Sequence, residues 1–232
     1  MSFQVLIQFY NDQHWIHFRY AELDSLLELH GLVPTEVYDK PLFPHEEYSN
    51  ETLNNVVDEE IRGKYYSPFV IARFPSTEVI ESICTRAVLI RQVIQLYDNY
   101  PTLPMLIEEI QKHKETNDDS SSNKYHTSKC LSQELSDMNK TWSLTVDTFA
   151  RHLSPDVQSF VRQTLNFNCG YTGKVSLKKP EKTIVLVMDF TSQSTSNGNY
   201  VCSAAEDTTD ISEIVQRVPV YFGLLIATGG MK

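Results

Sequence analysis

The stretch that decides the fold is Ser67–Tyr97, SPFVIARFPSTEVIESICTRAVLIRQVIQLY. FVIARF is rich in β-branched and aromatic residues and stops at Pro75, which cannot donate to a sheet ladder, so it reads as a strand. Ser76 or Thr77 is placed to cap a helix, and the spacing predicts one through TEVIESICTRA. VLIRQVIQLY then returns to an apolar, strand-like composition.

The same alternation precedes it. FQVLIQF reads as a strand, and YAELDSLLELHG as a helix with Leu23, Leu26, Leu27 and His30 on one face and Gly31 where the helix would stop. Strand, helix, strand, helix, strand implies an α+β sheet with helices on one face, an N-terminal ferredoxin-like domain over residues 1–98. Residues 34–64 are acidic, contain three prolines and lack periodicity, so they are expected to be an inserted loop.

A second domain is expected over 99–232, after the hinge NYPTLP. Leu103, Leu106, Ile107 and Ile110 follow the i, i+3, i+4, i+7 pattern of an amphipathic helix. Residues 114–139, serine-rich and without an apolar face, cannot offset their ordering entropy and are expected to form a mobile loop. TWSLTVDTF alternates Trp142, Leu144 and Val146 as a half-buried strand does. Ser154 and Pro155 then make a cap and first turn for a helix whose stripe is Val157, Phe160, Val161 and Leu165, with Gln158, Arg162 and Gln163 opposite. TIVLVMDF and VPVYFGLLIA are near-continuous apolar runs, as in central strands covered on both faces.

Composition narrows the function. No apolar run reaches the ~20 residues of a spanning helix, and the N-terminus lacks the features of a signal peptide, so a soluble, cytoplasmic protein is expected. Cys84, Cys130, Cys169 and Cys202 are too widely separated for a paired-thiol zinc knuckle or a redox dithiol, and read as reduced, buried thiols. Phosphate-loop, dinucleotide-binding, zinc-protease and nucleophile-elbow motifs do not occur. ATGGMK ends in glycines with no helix to follow, so it is not a phosphate loop. His14 and His17, three apart on an expected strand, would point to opposite faces and not chelate one metal. The acidic pairs lie in the polar insertion without an apolar wall to tune a pKa. The chain by itself is not expected to be catalytic.

Charge distribution points elsewhere. The chain carries a formal net charge of −10, yet 140–182 holds seven bases (Lys140, Arg151, Arg162, Lys174, Lys178, Lys179, Lys182) against three acids. A basic segment keeps a local positive face because distant acids are screened beyond ~8 Å. Lys174, Lys178 and Lys182 have even spacing and would share one face of an extended segment about 27 Å long, with Lys179 opposite. Flexible ammonium groups in such a row suit phosphate contact better than base readout. The competing reading is an edge strand guarded by lysines against self-pairing. Composition leaves both open.

GKVSLKKP, TIVLVMDF and YFGLLIATGG, preceded in order by SPFVIARFPS, TRAVLIRQVIQLY and KTWSLTVDTF, resemble the N-terminal region of the eukaryotic tRNA guanosine-10 N2-methyltransferase catalytic subunit. The resemblance runs from about residue 3 to the C-terminus, broken at the two insertions. It implies a ferredoxin-like domain followed by an α/β THUMP domain, which together bind tRNA through its acceptor stem and 3′ end. It also implies that a separate Rossmann-type domain of the parent enzyme, absent from this chain, uses S-adenosylmethionine, and that a small zinc-binding activator subunit docks on that domain. No cofactor is expected in this chain. By position, Lys174, Lys178 and Lys179 match the family's glycine-lysine motif, and with Lys182, Arg162 and Arg151 they are the expected tRNA contacts. Val175, Leu177, Tyr221 and Phe222 are the expected core. Leu224 stands where the family tends to carry a basic residue. The alternatives are a THUMP adaptor whose acidic N-terminal third binds a basic protein, and the RNA-binding part of another THUMP enzyme, such as a thiouridine or pseudouridine synthase.

Overall fold

The computed structural model describes residues 2–10, 15–40, 67–115, 140–149, 151–169, 173–190 and 218–230. They form a mixed α/β protein of two compact units. Unit 1 comprises Met1–Gln95 with Ile226–Lys232, and unit 2 comprises Leu96–Leu225. The sequence divides the chain at 98/99; the structure divides it at Gln95/Leu96 and returns the last seven residues to the first unit.

Unit 1 contains β1 (Phe3–Phe9), α1 (Phe18–Leu29), α2 (Pro34–Val37), β2 (Phe69–Phe74), α3 (Thr77–Arg86) and the start of β3 (Ile90–Tyr100). Strand β1 is central and antiparallel to both neighbours, with Val5 opposite Ala72 on β2 and Gln95 on β3. Tyr38 extends the ladder beyond β2 by a single antiparallel bridge to Ala72. Val5, Ile7 and Phe9, one face of β1, pack with Leu23, Leu27, Ile80 and Ile83 of the helices. That is the outcome expected when period-2 and period-3.6 apolar patterns bury against each other.

Two local readings change. Residues 34–40 are not loop, because Pro34 opens a helical turn and Val37 and Tyr38 are buried. Residues 41–64 lie outside the described residues. His17 sits at the N-cap of α1, not on a strand, while His14 lies outside the described residues. Gly31 does end the helical segment, in the left-handed region at φ 71°.

Polar groups join these elements. The Glu22 carboxylate on α1 accepts from two successive amides, Val88 N at 2.7 Å and Leu89 N at 2.9 Å, clamping α1 to the α3–β3 connection. Arg19 is fully buried; its guanidinium donates to the carbonyls of Ile16 and Ser67 and lies over the Phe9 ring. Tyr38 donates to Asp24 at 2.6 Å, and burial together with that carboxylate raises the phenol pKa.

Unit 2 contains the end of β3, α4 (Leu103–Glu115), β4 (Thr141–Phe149), α5 (Pro155–Cys169), β5 (Lys174–Val175), β6 (Lys182–Asp189) and the start of β7 (Val220–Thr228). Its strand order is β7-β6-β4-β5, with β4 parallel to β5 and β6, and β6 antiparallel to β7. The residues of β6 from Ile184 onward are all buried, as the continuous apolar run requires. Even-numbered sheet residues Trp142, Val146, Ile184, Leu186, Val220 and Phe222 share a core with the helices, while Val185 and Val187 are buried on the opposite face.

Helix α5 opens as its sequence requires, with Ser154 Oγ accepting from Val157 N at 3.4 Å. Its buried stripe is Val157, Val161 and Leu165, an i, i+4, i+8 row; Phe160 falls one position off it and is 53% exposed, not core. Helix α4 takes in residues 114 and 115 of the expected mobile loop, and 116–139 lie outside the described residues. Among the described residues no helix is long and apolar enough to cross a membrane.

Candidate nucleic-acid interface

The basic residues are set by how three strands begin. Strand β4 starts after Lys140, β5 with Lys174 and β6 with Lys182, and all three run parallel. Thr141 lies opposite Lys174, and Trp142 lies between Val175 and Lys182. Neighbouring strands are ~4.8 Å apart, so the Cα atoms of Lys174 and Lys182 are about 10 Å from each other across β4. Residues opposed across strands share a face, so Lys182 starts on the Trp142 face and Lys174 on the Thr141 face. Even spacing predicts one face for both. It fails because β5 is only two residues long and the chain turns between β5 and β6.

That turn is fastened to β4 at both ends. Ser176 N donates to Trp142 O at 2.9 Å, and Glu181 N donates to Thr141 O at 3.0 Å. The Glu181 carboxylate accepts from Thr141 N at 3.1 Å, and the Trp142 indole donates to Gly173 O at 2.9 Å. Between these ties Leu177, Lys178 and Lys179 stand in solvent. Val175 and Leu177, expected in the core, are 52% and 85% exposed. Tyr221 is half-buried and Phe222 buried, on β7.

Lys174, Lys178 and Lys179 are exposed and form no ion pair among the described residues. Lys182 is partly buried. Residues 173–182 hold four lysines and one acid, Glu181, a formal +3. The Glu181 carboxylate, the one acid among them, accepts from the β4 backbone at Thr141 N.

The two arginines lie elsewhere. Arg151 follows the other end of β4, about 26 Å along the strand from Thr141. Arg162 is partly buried midway along α5 and donates to Gln158 Oε1 at 3.1 Å. The six expected contacts therefore divide into a lysine group at the strand starts and two separate arginines. Strand register brings Lys140 and Trp142 to the lysine group, while Leu177 and Glu181 adjoin its lysines in sequence. Leu224 is buried opposite Ile184, so its apolar character serves the sheet.

Unit 1 holds an open groove of about 470 Å³ between the end of α3 and the end of β7, lined by residues including Cys84, Arg86, Val88, Ile226 and Thr228. Burial, aided by the charge of Glu81, pushes the Cys84 thiol up to about 12, so it is not a nucleophile at neutral pH. Gly230 also lines this groove, and both terminal glycines have close neighbours. A Cβ at Gly229 would lie 2.5 Å from Ile90 O, and Gly230, at φ 89°, abuts the Tyr10 hydroxyl. Among the described residues no three His, Cys, Asp or Glu side chains converge as metal ligands.

No family model matches the chain, and no curated protein matches it. Among solved structures it is similar to PH1313 from Pyrococcus horikoshii Ot3, at 9% identity and a TM-score of 0.44, covering 99% of this chain and 56% of that one. It is also similar to TrmN from Thermus thermophilus, at 10% identity and a TM-score of 0.38, covering 99% of this chain and 46% of that one. The chain thus spans about half the length of the solved structures it matches.

Proposed function

We propose that this chain is the tRNA-binding region of an S-adenosylmethionine-dependent tRNA (guanine(10)-N2)-methyltransferase, comprising a ferredoxin-like domain and a THUMP domain. The observation that carries the reading is the fastened lysine turn. Lys174, Lys178 and Lys179 are exposed, without ion pairs among the described residues, on a backbone tied to β4 at both ends. Such groups neutralise phosphates, and a backbone already tied to β4 adds little ordering cost of its own. The ordered segments that resemble the family support the choice of tRNA, and the antiparallel order β3-β1-β2 of unit 1 is compatible with a ferredoxin-like domain.

In this reading the chain holds the acceptor stem and 3′ end, and a separate catalytic domain reaches guanosine 10 at a fixed distance. Fixed placement of that kind is what raises an effective concentration. The cofactor and the zinc-binding activator belong with the catalytic domain. No chemical step is assigned to this chain.

Titrating labelled tRNA with the chain, followed by anisotropy, tests the reading. Saturable binding that unlabelled tRNA displaces better than an RNA hairpin without a 3′ extension supports it. Absence of binding at low salt contradicts it.

A further inference from the structure

The lysine turn carries an apolar side chain that phosphate contact does not explain. Leu177 is 85% exposed and precedes Lys178 and Lys179 directly, with Val175, 52% exposed, two residues before it. The turn is not a slack connection on which a leucine is left out by accident. Its first amide and its last are both bonded to β4, and the Trp142 indole holds the chain at Gly173. Leu177 is therefore presented in one place, and burying it on a partner would recover apolar area at little cost in chain entropy.

We propose that Leu177 packs against an unpaired nucleotide of the bound RNA while Lys178 and Lys179 engage the adjoining phosphates. The inference rests on the RNA-binding reading above and deepens it. A duplex offers a protruding leucine only phosphates, riboses and base edges, because its base faces are stacked on one another. Unpaired nucleotides can expose a base face. The lysines alone would hold paired and unpaired RNA alike; the leucine adds selectivity for an unpaired segment beside a stem. A second copy of this chain suits the surface less well, since it would bring two +3 turns together.

The test uses the full chain with two RNA probes, a blunt duplex and the same duplex bearing a four-nucleotide unpaired 3′ extension. The wild-type chain should prefer the extended probe. Leu177→Ser should remove about fivefold of that preference and leave blunt-duplex affinity unchanged, and Leu177→Met should restore it. The double change Lys178→Ala and Lys179→Ala should weaken both probes. Equal binding of the extended probe by wild type and Leu177→Ser, or equal losses on both probes, overturns the role of Leu177 while leaving the lysines as phosphate contacts. Failure of the wild-type chain to bind either probe overturns the RNA reading itself. A wild-type dimer in sedimentation that Leu177→Ser dissociates gives the surface to a second copy and overturns the proposal.

Discussion

The indole Nε1 of Trp142 donates a hydrogen bond to the carbonyl oxygen of Gly173 at 2.9 Å, joining the first buried side chain of β4 to the residue before β5. Its ring is in the core of unit 2, and its polar edge fixes where the lysine turn begins. A tryptophan combines these roles because its body is apolar and its N–H needs a partner when buried. Trp142→Phe keeps most of the ring and loses the donor. It is expected to cost about 1 kcal/mol of stability. Faster hydrogen exchange at the Ser176 and Glu181 amides should accompany that loss, and exchange unchanged there would show that the turn does not depend on the indole.

The Glu22 carboxylate is expected to act as a structural clamp. Glu22→Ala leaves the Val88 and Leu89 amides without their acceptor and is expected to lower stability by about 1–2 kcal/mol. Glu22→Gln, which keeps an oxygen to accept one bond, should lose less. Denaturant unfolding measures both, and equal losses would mean that helix α1 and not the two bonds carries the effect.

How much of this was legible in the sequence depends on the range of each interaction. The strand FVIARF and the helix after Ser76 are local patterns, and residue spacing suffices for them, although Ser76 stands at the N-cap position without a side-chain capping bond. The Ser154 cap and the stripe of Val157, Val161 and Leu165 are local too; only Phe160 was misplaced, because an i+3 neighbour is kept or lost according to where the next layer ends. The basic segment is legible, but the arrangement of its lysines is not. Lys174 and Lys182 are brought about 10 Å apart by strands that both pair with β4, a relationship set by register and not by their separation along the chain. The exposure of Leu177 is invisible for the same reason, since an apolar residue beside a strand looks like core until the strand proves to be two residues long.

The terminal glycines make a steric prediction. With a Cβ only 2.5 Å from Ile90 O, Gly229→Ala must displace backbone and is expected to cost about 1–3 kcal/mol. Gly230→Ala is strained by its left-handed φ and by Tyr10, whose hydroxyl would lie 2.6 Å from the new carbon. Combining Gly230→Ala with Tyr10→Ala should recover part of that loss. No recovery in thermal unfolding would locate the cost in the backbone alone.

Cys84 gives a pH signature. Burial disfavours the thiolate and pushes the thiol up from its ordinary 9.0 to about 12. The folded state therefore holds the proton more tightly than the unfolded chain, so this contribution to stability is complete below pH 9 and is lost as pH rises toward 12. Cys84→Ala should flatten that decline in an unfolding series. A thiol reagent at neutral pH should leave Cys84 unmodified in the folded chain, and rapid labelling there would contradict the assignment.

The measurement that tests the central claim most directly is the salt dependence of tRNA binding by the chain and by its Lys174→Ala, Lys178→Ala, Lys179→Ala triple variant. Each phosphate neutralised contributes about 0.7–0.9 to the slope of log affinity against log salt, so the variant's slope should be shallower by about 2–3, with folding unchanged. A slope equal to that of the wild-type chain, together with increased self-association of the variant, would make these lysines guards of the β5 edge and contradict their role as phosphate contacts.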